Sequence, residues 1–398
     1  LPAPVFWTIL VLGAVAAGGY LAAVLADPET LMHLKDLGVY QIAGNRVLDG
    51  VSVYDSPLLG HTRGVWEFVY TPFAALLFVP LAKLNAPVIV YVGGIGNFLI
   101  LAVAAWAALA LLGYRRDLRL AVFSLPVAAL LLWCEPIRQT MAFGQVNILL
   151  MALVLVDLAL PDSFRGKGAL IGIAAGIKLT PAFFVLYLLF SKRYRAALTS
   201  VISLAVTLLI GFLVLPHDSK TFWSGAFADP ARVGVPQDPS NESLRGMFAR
   251  TIGVTGGLQL LWLVVAAAIA LACLLLARRL SSGGQELLAV TLCGLTTTAV
   301  SPYSWVHHWV WLAALLICLL DASLRRWAVS AWVGLVLTFA VASGGVLLLL
   351  GFDESSILTF PWDHQEVNRN AYLWLTIVAL AVVALRLMKP AQDREAAR

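Results

Sequence analysis

Apolar positions along this chain come in long unbroken runs, with neither the period-3.6 stripes nor the period-2 alternation of a water-soluble protein. Runs of roughly 20 uncharged residues are long enough to cross a bilayer as helices. Twelve apolar spans of 15 to 26 residues, several with a charge inside or at one end, fit the hydropathy, at about 5–25, 69–84, 87–112, 119–133, 146–160, 169–190, 197–215, 259–279, 286–300, 306–321, 328–350 and 371–388. The first, Val5 to Leu25, carries no charge. It is longer than the ~7–15-residue apolar core of a signal peptide, and more such runs follow it. The chain starts with Leu1, so the reading leaves room for native residues ahead of it.

Composition agrees. Of 398 residues 61% are hydrophobic and 12% charged, where a soluble domain carries about 25% charged residues. Mean hydropathy is +0.88. The expected fold is an all-α polytopic membrane protein, one transmembrane domain over 1–398. The net charge of +5 does not point to nucleic acid, because the basic residues sit in short clusters between apolar runs, as in loops that hold a topology. Arg278-Arg279, Arg325-Arg326 and the tail with Lys389, Arg394 and Arg398 are expected in the cytoplasm. The acidic stretch 351–369 (Asp353, Glu354, Asp363, Glu366) is expected outside. Counting back places 26–67, 216–258 and 301–305 outside as well. The basic loops 113–119 and 161–168 then fall on the wrong side, unless 69–112 and 169–190 contain broken or re-entrant segments near Pro72, Pro80 and Pro181. The four cysteines (Cys134, Cys273, Cys293, Cys318) lack metal or redox spacing and read as small buried residues.

Two outer loops are long. In 26–67, the segment Asp36 to Leu48 has an amphipathic pattern that suits the membrane surface. The loop 216–258 is rich in Pro, Gly, Asp and Arg. Asp36, just beyond the first span, reads either as a general base or as a helix N-cap. No second carboxylate adjoins it in an Asp-x-Asp pair, so no divalent-metal site is expected. Tyr70, in Phe68-Val69-Tyr70-Thr71-Pro72, also fits an interfacial aromatic belt. Between two short spans lie Glu135, Arg138, Gln145 and Asn147, and a Glu135–Arg138 pairing accounts for part of that polarity. Lys178 sits mid-span, where an ionisable group is costly and a functional candidate; the alternative is snorkelling. Asn241 and Arg245 stand in the long loop. His307 and His308, ringed by aromatic residues, point about 100° apart if helical, so one is expected to act and the other to be structural.

In this order, Asp36-Leu37-x-Val39-Tyr40, Tyr70-Thr71-Pro72, Gly144-Gln145-x-Asn147, Ile177-Lys178-x-Thr180-Pro181, Asn241-x-Ser243-Leu244-Arg245 and Ser301-Pro302 through His308 resemble glycosyltransferase family 87. These are GT-C type glycosyltransferases of actinobacteria that use polyprenyl-phosphate sugars, and the likeness spans about residues 5–390. The resemblance implies about twelve transmembrane helices with long periplasmic loops, and a multi-pass protein of the plasma membrane with its active site facing the periplasm. It further implies a catalytic acid at Asp36 and transfer without metal or other cofactor. The nearest likeness is to the members that add α-1,2-linked mannose to phosphatidyl-myo-inositol mannosides. The implied partners are therefore a polyprenyl-phosphate sugar donor, a glycolipid acceptor and membrane lipids. Members acting on lipomannan or arabinogalactan, with mannose or arabinofuranose donors, are the alternatives within the family. Substrate-binding candidates are His307, His308, Arg245, Asn241, Lys178, Arg138, Tyr70 and Gln145. One base without a covalent nucleophile implies inversion at the anomeric carbon. A secondary transporter is the competing class, with Asp157 and Lys178 as its deep charges, although no internal repeat is evident. A membrane scaffold protein would need no convergence of polar groups on one outer face.

Overall fold

The computed structural model describes residues 3–59, 66–229, 232–344 and 369–388. Among these, every regular element is helical and the one β-bridge (Leu59 with Trp66) is isolated. The acidic stretch expected at 351–369, apart from residue 369, lies outside the described residues, as do the end of the run 328–350 and the basic tail. The chain divides into two compact units. One holds 1–107, 116–132 and 137–235; the other holds 108–115, 133–136 and 236–398.

The first unit begins with α1 (Ala3–Ala26), a single turn α2 (Pro28–Leu31) and α3 (Lys35–Leu48). Then come α4 (Pro72–Phe78), running into a 3-10 turn (Val79–Lys83), and α5 (Ala86–Tyr91), joined by a π-turn (Val92–Gly96) to α6 (Asn97–Leu111). After α7 (Leu118–Leu131) the chain bends by 93° into α8 (Glu135–Phe143). α9 (Asn147–Ala159), α10 (Ala169–Ile177), α11 (Phe183–Phe190), α12 (Tyr194–Val214) and α13 (Pro216–Ser224) complete it. The second unit carries α14 (Leu244–Thr251), α15 (Gly257–Ser282), α16 (Glu286–Val300), α17 (Trp311–Arg326), α18 (Val329–Ala342) and α19 (Ala371–Met388).

Many helix faces expose large apolar residues, and small residues mark the closest helix contacts, as in lipid-embedded helices. On α1 the stripe Ile9, Gly13, Ala16, Tyr20 is buried, and Trp7, Val11, Leu12, Val15 and Leu21 are exposed. Gly13 lies so close to Pro126 of α7 that an added Cβ would fall 2.4 Å from the proline Cβ. α10 packs on α12 through Gly168, Gly172 and Gly176, where a Cβ would meet the Ala196 carbonyl, the Ser200 carbonyl and Thr207. Such i, i+4 small-residue spacing permits close backbone approach. In the second unit α16 is central, buried over most of its length between α15 and α17.

Each of the twelve apolar runs has a helical counterpart, but their lengths differ. Among the described residues five helices are long and apolar enough to cross a membrane: Ala3–Ala26, Ala86–Leu111, Tyr194–Val214, Gly257–Ser282 and Ala371–Met388. The bent pair α7–α8 makes a sixth if it counts as one span. Shorter apolar helices occupy Pro72–Lys83, Asn147–Ala159, Thr180–Phe190, Glu286–Val300 and Val329–Ala342. The run 169–190 is broken at Lys178, which is extended (φ −144°, ψ 134°). Pro181, inside the 3-10 turn Thr180–Ala182 that follows, supplies no N–H to the Ile177 carbonyl at the end of α10.

Two expectations change at this level. Asp157 does not project into the middle of a span. It sits at the end of α9 and accepts the Gly168 and Leu170 amides at 2.6 and 2.9 Å, capping the start of α10. This removes one of the two deep charges behind the transporter reading. α3 is helical as expected, but Asp36, Leu37, Val39, Tyr40, Ala43 and Gly44 are all buried. It is packed on α4 and the 3-10 turn after it. The polar residue Asp36 therefore points into protein.

Candidate active site

In the first unit, the motif residues Asp36, Tyr70, Gln145, Asn147 and Lys178 assemble into one cluster, buried except for the half-buried Lys178. α3 starts from Leu34, whose backbone is left-handed (φ 50°) and whose amide donates to the Ala142 carbonyl at 2.7 Å. That bond fastens the start of α3 to the end of α8. Gly144 follows with φ +68°, where a Cβ would strike the Leu37 side chain. A glycine is needed there on both counts, and it turns Gln145 back toward α3.

Asp36 is not an N-cap. Leu34 occupies that position and no side chain caps the helix. Asp36 lies one turn before Tyr40 on the same face, as i and i+4 positions do. Gln145 is placed by three donors to its Oε1: the Tyr40 hydroxyl at 2.7 Å, the Tyr70 hydroxyl at 2.9 Å and the Val146 amide at 3.1 Å. The two tyrosine hydroxyls also meet each other at 2.7 Å. With its oxygen so occupied, Gln145 turns its amide NH₂ to the Asp36 side chain, with which it hydrogen-bonds. Burial raises the Asp36 pKa to about 6, and the Gln145 bond and the Lys178 charge hold it from rising further. Burial, first, and the neighbours Tyr70 and Asp36 hold the Tyr40 phenol well above its ordinary value.

Lys178 reaches this cluster because its helix is broken. Its ammonium lies 5.4 Å over the Tyr70 ring and 3.4 Å from Asn147 Oδ1. Thr71 stabilises the break. Its hydroxyl donates to the Gly176 carbonyl, left open at the end of α10, and accepts the Ala74 amide at 3.2 Å as N-cap of α4. Arg138, on α8, lies near Tyr20 of α1.

The second unit gathers the remaining candidates. The four-fold bonding of Asn241 is all to backbone. Its Oδ1 accepts from Ser243 and Ser304, and its Nδ2 donates to the Pro236 and Pro302 carbonyls. It is a clamp that holds the long loop against 302–304. Arg250 adds bonds to the Asp238 and Asn241 carbonyls and to Asn370. Arg245 lies over the Trp262 ring at 5.4 Å. Burial lowers its pKa, and its Nε is buried without a hydrogen-bond partner among the described residues. His307 is buried and stacked on Trp305. His308 is half-buried, and its Nδ1 accepts the Trp305 amide at 3.3 Å. One nitrogen of His308 thus serves its own 3-10 turn.

Tyr40, although within a noted motif, was not among the expected site residues. Its i+4 spacing from Asp36 was the available signal. Glu242 was also missed. It is half-buried with its Oε2 enclosed, and burial, then the Glu135 charge, hold its carboxyl well above the usual range, while Arg250 and the Trp309 indole oppose this. Glu135 itself accepts the Tyr372 hydroxyl. Among the described residues no three His, Cys, Asp or Glu side chains group as a metal site.

The cluster around Asp36 thus brings one carboxyl, two phenols, two side-chain amides and an ammonium together within a helical, largely apolar chain. The chain belongs to glycosyltransferase family 87, whose model matches residues 68–302. It is 32% identical to the polyprenol-phosphate-mannose-dependent α-(1-2)-phosphatidylinositol mannoside mannosyltransferase of Mycobacterium tuberculosis, over 96% of this chain and 91% of that protein. It is 33% identical to the polyprenol-phosphate-mannose-dependent α-(1-2)-phosphatidylinositol pentamannoside mannosyltransferase of Mycolicibacterium smegmatis, over 89% of this chain and 84% of that one. A further mannoside mannosyltransferase from the same organism is 28% identical over 88% and 83%. No solved structure matches.

Proposed function

We propose that this protein is an inverting mannosyltransferase that moves mannose from polyprenyl-phosphate mannose to a phosphatidyl-myo-inositol mannoside in α-1,2 linkage. The observation that carries the reading is Asp36, a buried carboxyl whose pKa of about 6 leaves it an effective base near neutral pH. The proposed step is a single displacement. The acceptor hydroxyl oxygen bonds to the anomeric carbon as the bond from that carbon to the phosphate oxygen breaks. The hydroxyl proton goes to Asp36, and polyprenyl phosphate leaves with the electron pair. A β-phosphate donor so gives an α-mannoside. Lys178 brings positive charge to the same cluster, and His307, His308 and Arg245 are further candidates for the phosphate. The twelve-span topology, the single domain over 1–398, the plasma-membrane location and the periplasmic orientation belong to this proposal.

The test is transfer of radiolabelled mannose by the purified protein, with mannosyl and arabinofuranosyl polyprenyl phosphates offered separately to mannoside, lipomannan and arabinogalactan acceptors. Mannose transfer to the mannoside, retained in excess EDTA, is the expected result. Preference for the arabinofuranosyl donor or for a polymer acceptor overturns the substrate assignment. Loss in EDTA that Mn²⁺ or Mg²⁺ restores overturns the metal-free step.

A further inference from the structure

Within the first unit, the long loop is tied to the cluster around Asp36 through one tyrosine. Tyr54 is buried, and its hydroxyl donates to the backbone carbonyl of Tyr70 at 2.6 Å. Tyr70 is the residue whose own hydroxyl helps to fix Gln145. Behind Tyr54 stands Arg232. Its Nη2 donates to the Tyr54 carbonyl at 3.2 Å, its guanidinium lies 5.7 Å from the Tyr54 ring centre, and its Nε is 2.9 Å from Glu67. Both side chains of that ion pair are almost fully buried, at 10% and 3% exposure. Asp218 of α13 secures the same segment by accepting the Ser52 hydroxyl at 2.5 Å and the Val53 amide at 3.4 Å.

A buried ion pair is a poor source of net stability, because desolvation offsets the attraction; its best-attested use is to fix register. Here Glu67 lies three residues before Tyr70, and Arg232 reaches from the middle of the long loop 216–258. The pair fixes Tyr54 from behind, and Tyr54 fixes the Tyr70 main chain. We propose that Arg232 and Tyr54 are positioning residues, which hold Tyr70 and through it Gln145 in register with Asp36. The inference rests on the reading of the Asp36 cluster as the reaction centre.

The experiment measures kcat, KM for polyprenyl-phosphate mannose and thermal midpoint in the purified full chain. The variants are Tyr54→Phe, the charge-free double variant Glu67→Gln/Arg232→Gln, their triple combination, and Asp36→Asn. Tyr54→Phe removes one oxygen. It is expected to lower kcat by roughly 10- to 100-fold, the scale of small misplacements of reacting groups, with KM little changed and a moderate fall in thermal midpoint, because the Tyr70 carbonyl loses its donor. The double variant leaves no lone buried charge and is expected to lose kcat similarly. Because both act through one path, the triple variant should be no slower than the slower of the two. Wild-type kcat in folded Tyr54→Phe, or losses that multiply, overturn the inference; if Tyr54→Phe does not fold, wild-type kcat in the double variant does so. If Asp36→Asn turns over at the wild-type rate, the reading of the centre has failed. If Asp36→Asn is inactive and Tyr54→Phe is unimpaired, only the positioning role has failed.

Discussion

Asp36 is expensive for the fold wherever its carboxyl is ionised. Its carboxyl titrates near 6 in the folded protein against an ordinary value of 3.8, so between those values the folded state binds more protons than the unfolded one. Stability therefore falls as pH rises from about 4 through 6. Above that window the buried charge costs up to roughly 3 kcal/mol. Asp36→Asn removes this cost and the proton acceptor together. At neutral pH the variant is expected to be at least as heat-stable as wild type, with turnover down by roughly 10²- to 10⁴-fold, the usual worth of a general base. Wild-type kcat/KM should rise with pH to a plateau above about 6. A folded Asp36→Asn protein within a few-fold of wild-type rate would remove Asp36 from the mechanism. For the histidines, His307→Ala is expected to raise the donor KM more than the acceptor KM. His308, with one nitrogen engaged by the Trp305 amide, should also lower the thermal midpoint when replaced by Ala. Unchanged donor kinetics in both variants would make the pair structural.

At the scale of elements, the broken helix at Lys178 shows how far the sequence could be read. Twelve continuous spans were the expected reading, with a break near Pro181 as the alternative, and the chain is broken at Lys178. The motif residues Asp36, Tyr70, Gln145 and Lys178 were legible one by one as polar groups that needed a reason. Their assembly was not legible, since it depends on pairings 30 to 105 residues apart. Local pattern carries no information about which carbonyl Thr71 will meet. Nor did it show the 93° bend between α7 and α8, or that Asp157 would be consumed in capping α10. The Gly168, Gly172, Gly176 spacing was visible and went unused, although it marks the face on which α10 meets α12. Thr71 gives this scale its test. Thr71→Val uncaps α4, which costs about 0.5–2 kcal/mol, and leaves the Gly176 carbonyl without its donor, which costs about 1–3 kcal/mol more. A clear fall in thermal midpoint is expected, with recovery in Thr71→Ser. An unchanged midpoint in Thr71→Val would mean that water or lipid headgroups satisfy the broken end of α10.

At the scale of the whole molecule, the charges argue for the proposed orientation of the chain. Basic residues near membrane spans tend to stay in the cytoplasm, so Arg278-Arg279 at the end of α15 are expected inside and, one span earlier, the loop holding Ser240 outside. Cysteine labelling can decide this because the native background is low: Cys134, Cys273 and Cys293 are buried and Cys318 is half-buried. The choice of probe follows from burial. Ser323 lies in a basic segment but is fully buried, with its hydroxyl bonded to the Leu319 carbonyl, and a cysteine there would be silent on either side. Ser240 and Ser282 are both exposed. In intact cells an impermeant maleimide is expected to label Ser240→Cys and to spare Ser282→Cys, and both should react once the membrane is opened. Labelling of Ser282→Cys with protection of Ser240→Cys would invert the topology. The long loop that carries Arg232 and Asn241 would then face the cytoplasm, and a lipid-linked donor would have to be offered on that side.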